Sequence, residues 1–247
     1  MEEFSIHTKP VKIGNITIGG GNKIAIQSMT NVPTYDIKKV TKQINDLASA
    51  GCDIVRFSVP DKESAEAVEE IKNKTSVPLV ADIHFDYRLA LMCIERGIDK
   101  VRINPGNIGE EKNAEAVAKA AAAKNIPIRI GVNAGSLEKG LLDKCGGDLP
   151  KAMVESAKRH VEILNRFDFD NIVLSMKSSN VAATVKAYRL AGQTFDYPLH
   201  LGVTEACTIK QGIVKSSVGI GSLLVDGIGD TCLLYTSPSP RDSTSSR

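Results

Sequence analysis

From Lys23 to His200 the chain alternates short β-branched runs with longer stretches whose apolar residues recur every three or four positions. The strand-like runs are KIAIQS from Lys23, DIVRFS from Asp53, PLVADIH from Pro78, KVRIN from Lys100, PIRIGVN from Pro127, NIVLSMK from Asn171 and PLHLGVT from Pro198. Stretches between them, such as KKVTKQINDLASAG from Lys38, space their apolar residues for one helix face, and this one stops at Gly51, as a helix C-terminus often does. Alternation of this kind predicts an α/β protein with parallel strands joined by crossover helices.

Two architectures accommodate such a pattern, a closed (β/α)8 TIM barrel and an open doubly wound sheet. At 247 residues the chain is close to the roughly 250 typical of the barrel, which favours closure. A dinucleotide fold would want G-x-G-x-x-G after its first strand, and neither that motif nor a Walker A loop occurs; GSLEKG, Gly135 to Gly140, comes nearest but is followed by Leu141. Upstream, VKIGNITIGGGN alternates with period two around Gly14-Asn15, which predicts a hairpin ahead of the first barrel strand, placed to plug the barrel bottom. The connection after the fifth strand run is much longer than the others, and its GSLEKGLLDKCGGD segment, before a helix beginning near Pro150, is a candidate lid. TSPSPRDSTSSR from Thr236 has almost nothing to bury. The expected division is a barrel over residues 1–231 and a disordered, foreign-looking tail over 232–247.

With 42% apolar and 24% charged residues the chain has ample material for a large core. Lys+Arg 31 against Asp+Glu 29 leaves a net charge of +2, which gives no argument for nucleic acid or an anionic membrane as partner. Phosphate recognition must therefore come from locally placed charge. No apolar run approaches the roughly 20 residues of a membrane span, and the start MEEFSIHTKP lacks the regions of a signal peptide, so a cytoplasmic protein is expected. Cys52, Cys93, Cys145, Cys207 and Cys232 are odd in number and never form C-x-x-C, so each is expected to be a buried small hydrophobe.

Parallel barrel strands are covered on both faces, so charged residues within their Val/Ile/Leu runs are the informative ones. Asp82 and His84, Arg102 and Asn104, Arg129 and Asn133, and Ser175 and Lys177 each share parity within a strand, so each set points to one face, expected to be the lumen. Arg56 late in the second run and Glu205 just past the seventh fall near the C-terminal rim, where barrel enzymes place their sites. Concentrating Arg56, Arg102, Arg129 and Lys177 in a low-dielectric mouth is costly unless an anion neutralises them, and arginine forks with a mobile lysine suit a diphosphate. The alternative is internal pairing of these cations with Asp53, Asp82 and Glu205. His200 lies earlier in its strand and is expected to be a satisfied core histidine. Glu205 at a strand end is a candidate general acid, with an exposed loop glutamate as the alternative.

The stretches IQSMTN, CDIVRFSVP, PLVADIHFDYRLAL, VRINPGNIG, IRIGVNAGSLE, SMKSSNV and LHLGVTEA, in this order, closely resemble the 4-hydroxy-3-methylbut-2-enyl diphosphate synthase family of the methylerythritol phosphate route to isoprenoids. The resemblance implies reductive ring opening of 2-C-methyl-D-erythritol 2,4-cyclodiphosphate, with electrons delivered through a 4Fe-4S cluster by flavodoxin or ferredoxin. It implies diphosphate binding at Arg56, Arg102, Arg129, Asn133 and Lys177, with Glu205 as the acid near the leaving hydroxyl. The family pattern continues after GIGDT as IRVSLT, whereas this chain reads CLLYTS, so Leu233 and Tyr235 stand where the family places an arginine and a serine. The family's C-terminal domain, which supplies the cluster ligands and closes over the partner barrel in a homodimer, has no counterpart pattern here, so this chain is expected to be inactive alone. Two rivals remain. One is a pterin-binding, dihydropteroate synthase-like barrel, for which 4% aromatic residues offer few stacking rings. The other is a non-catalytic module holding an anionic ligand or partner.

Overall fold

Period-two alternation at the start of the chain produces the expected hairpin: β1 (Val11–Ile13) and β2 (Ile16–Ile18) pair antiparallel with Ile13 opposite Ile16, leaving Gly14-Asn15 as the turn. Gly14 adopts a φ of 57°, the left-handed value that the first position of a tight hairpin turn requires. This is a computed structural model, and it describes residues 7–204 and 209–234.

Each of the seven strand runs forms a strand. β3 (Ala25–Met29) leads to α1 (Ile37–Ser49), and β4 (Ile54–Ser58) to the short α2 (Lys62–Glu66) and α3 (Val68–Asn73). β5 (Leu79–Asp82) leads to α4 (Tyr87–Glu95), and β6 (Lys100–Ile103) to α5 (Glu111–Ala123). β7 (Ile128–Asn133) is followed by α6 (Leu141–Lys144) and α7 (Leu149–Asn165), and β8 (Ile172–Lys177) by α8 (Val181–Thr194). β9 (His200–Leu201), α9 (Ile209–Val225) and β10 (Thr231–Leu233) complete the order. Local chemistry sets the boundaries. Asp36, Asp148 and Asn180 each accept a backbone N–H three residues on, capping α1, α7 and α8. Gly51, just past α1, has a φ of 98°.

All eight barrel strands are parallel, in the order β8-β7-β6-β5-β4-β3-β10-β9. A bridge between Leu174 and Leu199, with Leu174 N–H donating to Pro198 O at 2.9 Å, joins the two ends and closes the barrel. The eighth strand therefore forms despite its altered sequence. Cys232 pairs with Ile26 and Leu233 with Gln27, so the sheet runs two residues past the expected limit at 231. The remainder of the expected tail, from Tyr235, lies outside the described residues.

Strand parity divides the core in two. Residues such as Phe57, Ile83, Ile103, Ile130 and Leu174 pack outward against the helices in one large buried cluster. Ala25, Ile54, Val80 and Val173, of opposite parity, meet Val11, Ile13 and Ile18 of the hairpin in a second cluster, which closes the bottom of the lumen. Burying side chains of this size contributes roughly 1.5 to 3 kcal/mol each. Among the described residues no helix is long and apolar enough to cross a membrane.

Candidate functional site

Above that apolar floor the same parity carries charge. Arg56 aligns with Met29 and Val80, Asp82 with Ser58 and Arg102, Arg102 with Arg129, and Asn133 with Lys177. Aligned residues of parallel neighbours share a face, so the register turns the sequence spacing into one lumenal constellation. Arg129, Asp82 and Arg56 are buried (1%, 3% and 7% exposed), whereas Arg102, His84, Asn133 and Lys177 are half-buried.

Asp82 is where the cations meet. Arg102 Nη1 donates to its Oδ1 at 3.2 Å, Arg56 Nε lies 3.8 Å from Oδ2, and His84 Nε2 lies 3.7 Å from Oδ1. Arg102 Nη2 also donates to Gly131 O at 3.0 Å. Its Nη1 lies 3.4 Å from His84 Nδ1, and because a guanidinium only donates, that ring nitrogen is the acceptor. Arg56 donates to Met29 Sδ at 2.9 and 3.1 Å. Asn104 Oδ1 accepts from Gly131 N–H of β7 at 2.9 Å, and Asn133 Oδ1 accepts from Gly135 N–H at 3.2 Å, so Asn104 braces the neighbouring strand and Asn133 the loop that follows it. Internal pairing is thus part of the arrangement: Asp82 neutralises part of the ring. Asp53, the other described carboxylate weighed for pairing, accepts from the Ile26 N–H at 2.7 Å. Glu205 and Cys207 lie outside the described residues.

Sequence reading missed two features. Gly131 and Gly202 share the lumenal parity, and a Cβ on Gly131 would lie 2.4 Å from Arg102 Nε, one on Gly202 2.8 Å from Lys177 Cε. Each glycine leaves room for a site cation to lie across it. Gly131→Ala is expected to push Arg102 off Asp82 and weaken binding of inorganic diphosphate roughly ten- to hundredfold, the worth of one charge-assisted contact. Calorimetric titration checks this, and unchanged affinity would mean that the seat of Arg102 is dispensable.

The second feature is a fully buried polar layer of Gln27, Lys100, His200 and Thr231. Lys100 precedes Arg102 by two residues and so shares its face; a lysine opening a strand looks like a solvated edge. Burial, then Arg129 and Arg56, push the Lys100 amine far below the usual lysine range. Burial, then Arg129, Lys177, Lys100 and Arg56, push the His200 ring well below the ordinary histidine value. His200 is a core residue as expected, but its ring nitrogens meet no protein hydrogen-bond partner, so it is not satisfied as expected.

The described cysteines do not suit an iron-sulfur cluster. Burial pushes the Cys93 thiol up to about 12 and raises those of Cys52 and Cys232, whereas a cluster needs thiolates. Among the described residues no three metal-ligating side chains come together. Cys93 and Cys232 are buried as expected, while Cys52 and Cys145 are only partly so.

The GcpE TIM-barrel domain family matches residues 8–244. Over 95% of its length the chain is 56% identical to a 4-hydroxy-3-methylbut-2-en-1-yl diphosphate synthase (flavodoxin) from Fusobacterium nucleatum, and over 91% it is 57% identical to one from Caldanaerobacter subterraneus. It spans 66% and 63% of those two relatives. Among solved structures, dihydropteroate synthase from Yersinia pestis superposes with a TM-score of 0.67 at 13% identity, covering 92% of this chain and 91% of that one. That likeness is one of fold.

Proposed function

The chain belongs to the GcpE TIM-barrel domain family, and from that premise we propose that it is the substrate-binding barrel of a 4-hydroxy-3-methylbut-2-enyl diphosphate synthase, built to hold 2-C-methyl-D-erythritol 2,4-cyclodiphosphate. The observation that carries this reading is the register that gathers Arg56, Arg102, Arg129 and Lys177 into one lumen. Asp82 holds Arg56 and Arg102 in place before the ligand arrives, so less ordering is left to binding. The guanidiniums then fork the diphosphate oxygens, Lys177 adds a point charge, and His84, Asn104 and Asn133 fill in around them. Glu205 is assigned as the proton donor to the leaving hydroxyl.

The cluster chemistry that reduces the substrate in the family is not assigned to this chain, whose described thiols do not fit it. We assign that chemistry to the part of the longer relatives that this chain does not span, together with homodimer formation and docking of flavodoxin or ferredoxin. The proposal for these 247 residues is thus substrate binding in the cytoplasm, without turnover by this chain alone.

Cyclodiphosphate at about 100 times its dissociation constant is expected to add roughly 2.7 kcal/mol, on the order of 5 to 10 °C in melting temperature at this size. Differential scanning fluorimetry measures it. No shift at millimolar ligand would sink the reading. An equal shift with inorganic diphosphate would favour a non-catalytic anion module, and one with a pterin the dihydropteroate synthase-like alternative.

A further inference from the structure

We propose that His160 is a positioning residue that ties together the two loops carrying Asn104 and Asn133, and through them sets the affinity of the barrel mouth for its anionic ligand. The affinity part rests on the function proposed above; the tie itself does not.

His160 sits on the buried face of α7, in a helix that contributes no strand residue to the lumen. Its Nδ1 accepts the Gly106 N–H at 3.1 Å. An imidazole that accepts at one nitrogen and is neutral carries its proton on the other, and Nε2 lies 3.7 Å from Glu138 Oε1. The two contacts reach different loops. Gly106 belongs to the 3-10 turn Pro105–Asn107 directly after Asn104, and Asn107 N–H bonds back to Asn104 O at 2.8 Å. Glu138 belongs to the candidate lid, whose first residues, Gly135 and Ser136, fall in the 3-10 turn Ala134–Ser136 directly after Asn133, and its own carbonyl accepts the Leu141 N–H at 3.0 Å. Asn104 in turn holds the Gly131 N–H, beneath Arg102.

The fit of ring to loop is tight. A Cβ on Gly106 would lie 2.7 Å from His160 Cε1, so the ring is pressed against bare backbone that any side chain would lift away. Burial lowers the pKa of the ring even though Glu138 works the other way. The neutral form is the one that keeps an acceptor for Gly106, because a protonated ring has only donors. The segment taken from the sequence as a lid thus comes, at Glu138, within 3.7 Å of the same ring that holds the neighbouring loop at Gly106.

The test compares the 247-residue chain with His160→Ala, His160→Asn and Glu138→Gln, by calorimetric titration of cyclodiphosphate and by amide hydrogen exchange. His160→Ala is expected to raise Kd about tenfold and speed exchange at Gly106 and across 134–141 by a similar factor. His160→Asn, whose Oδ1 stands in for Nδ1, is expected to keep Gly106 protected and hold Kd within about threefold of the parent. Glu138→Gln is expected to speed exchange in 134–141 while leaving Gly106 slow. Unchanged exchange in His160→Ala would overturn the tie, and so would an asparagine variant that is folded yet no slower at Gly106 than the alanine one. Faster exchange with unchanged Kd would overturn the affinity part alone. Should the parent bind no cyclodiphosphate, the proposed function falls and the affinity part with it, while exchange still decides the tie. Should His160→Ala fail to fold, the asparagine and Glu138→Gln variants decide both parts against the parent.

Discussion

Asp82→Asn lowers the stability of the chain by about 3 to 5 kcal/mol, the cost of removing one partner from a buried ion pair. Asp82 is 3% exposed and faces Arg56, Arg102 and His84 together. Asparagine keeps the shape and one acceptor oxygen, so the loss isolates the charge. Two guanidiniums then remain in the lumen with Arg129 nearby and their shared carboxylate gone. The deficit should shrink in millimolar inorganic diphosphate, because an anion seated among the same cations replaces the missing charge. Urea unfolding of parent and variant, with and without diphosphate, measures both arms. A variant within about 0.5 kcal/mol of the parent, the range of an ordinary surface change, would mean that these pairs do not form.

Much of this arrangement was legible because two periodicities coincide. Alternation along a strand sends Asp82, Arg102, Arg129 and Lys177 to one face, and parallel register then stacks those faces around one axis. The hairpin was legible for the same reason, with Gly14-Asn15 breaking the alternation where the chain must reverse. β10 was harder to foresee. Pairing needs only backbone groups and buried side chains, and Thr231, Cys232 and Leu233 supply both even without the arginine and serine that the family pattern would lead one to expect. Leu233 shares the lumenal parity, with its Cβ 3.7 Å from where a Cβ on Gly202 would lie, so the lumen there is walled by an alkyl group.

What stayed hidden has one physical cause: a side chain's meaning depends on depth, and sequence gives face but not depth. Lys100 and His200 occupy the same face as the site cations but one layer lower, where no solvent reaches. Gly131 and Gly202 carry no side chain to notice, yet their bareness lets Arg102 and Lys177 lie flat. The likeness to dihydropteroate synthases at 13% identity makes the same point from outside. A barrel is specified by its apolar pattern, and its ligand by a few lumenal side chains.

Lys100→Met is expected to stabilise the chain at pH 7 by about 1 to 4 kcal/mol, as replacement of a buried ionisable group by an apolar one of similar volume often does. Lys100 is wholly buried, its Nζ meets no protein hydrogen-bond partner, and Arg129 and Arg56 are the charges that act on it. The sign of the pH effect follows from its depressed folded-state pKa. An unfolded lysine binds its proton below about pH 10.4, so between that value and the folded pKa the unfolded chain holds one proton more than the folded one. Stability from this group therefore rises with pH across that window and falls as pH drops, by about 1.4 kcal/mol per unit. Methionine removes the slope, so its advantage should narrow as pH rises through the window between the depressed folded value and about 10.4. His200 adds the same sign lower down. Its ring, also held neutral, makes parent and Lys100→Met alike lose stability as pH falls below about 6.5, and His200→Gln should relieve that loss. Urea unfolding at pH 5, 7 and 9 reads all of these. A methionine variant less stable than the parent at pH 7, or an advantage that does not narrow with rising pH, would mean that Lys100 is charged and paired in the folded barrel.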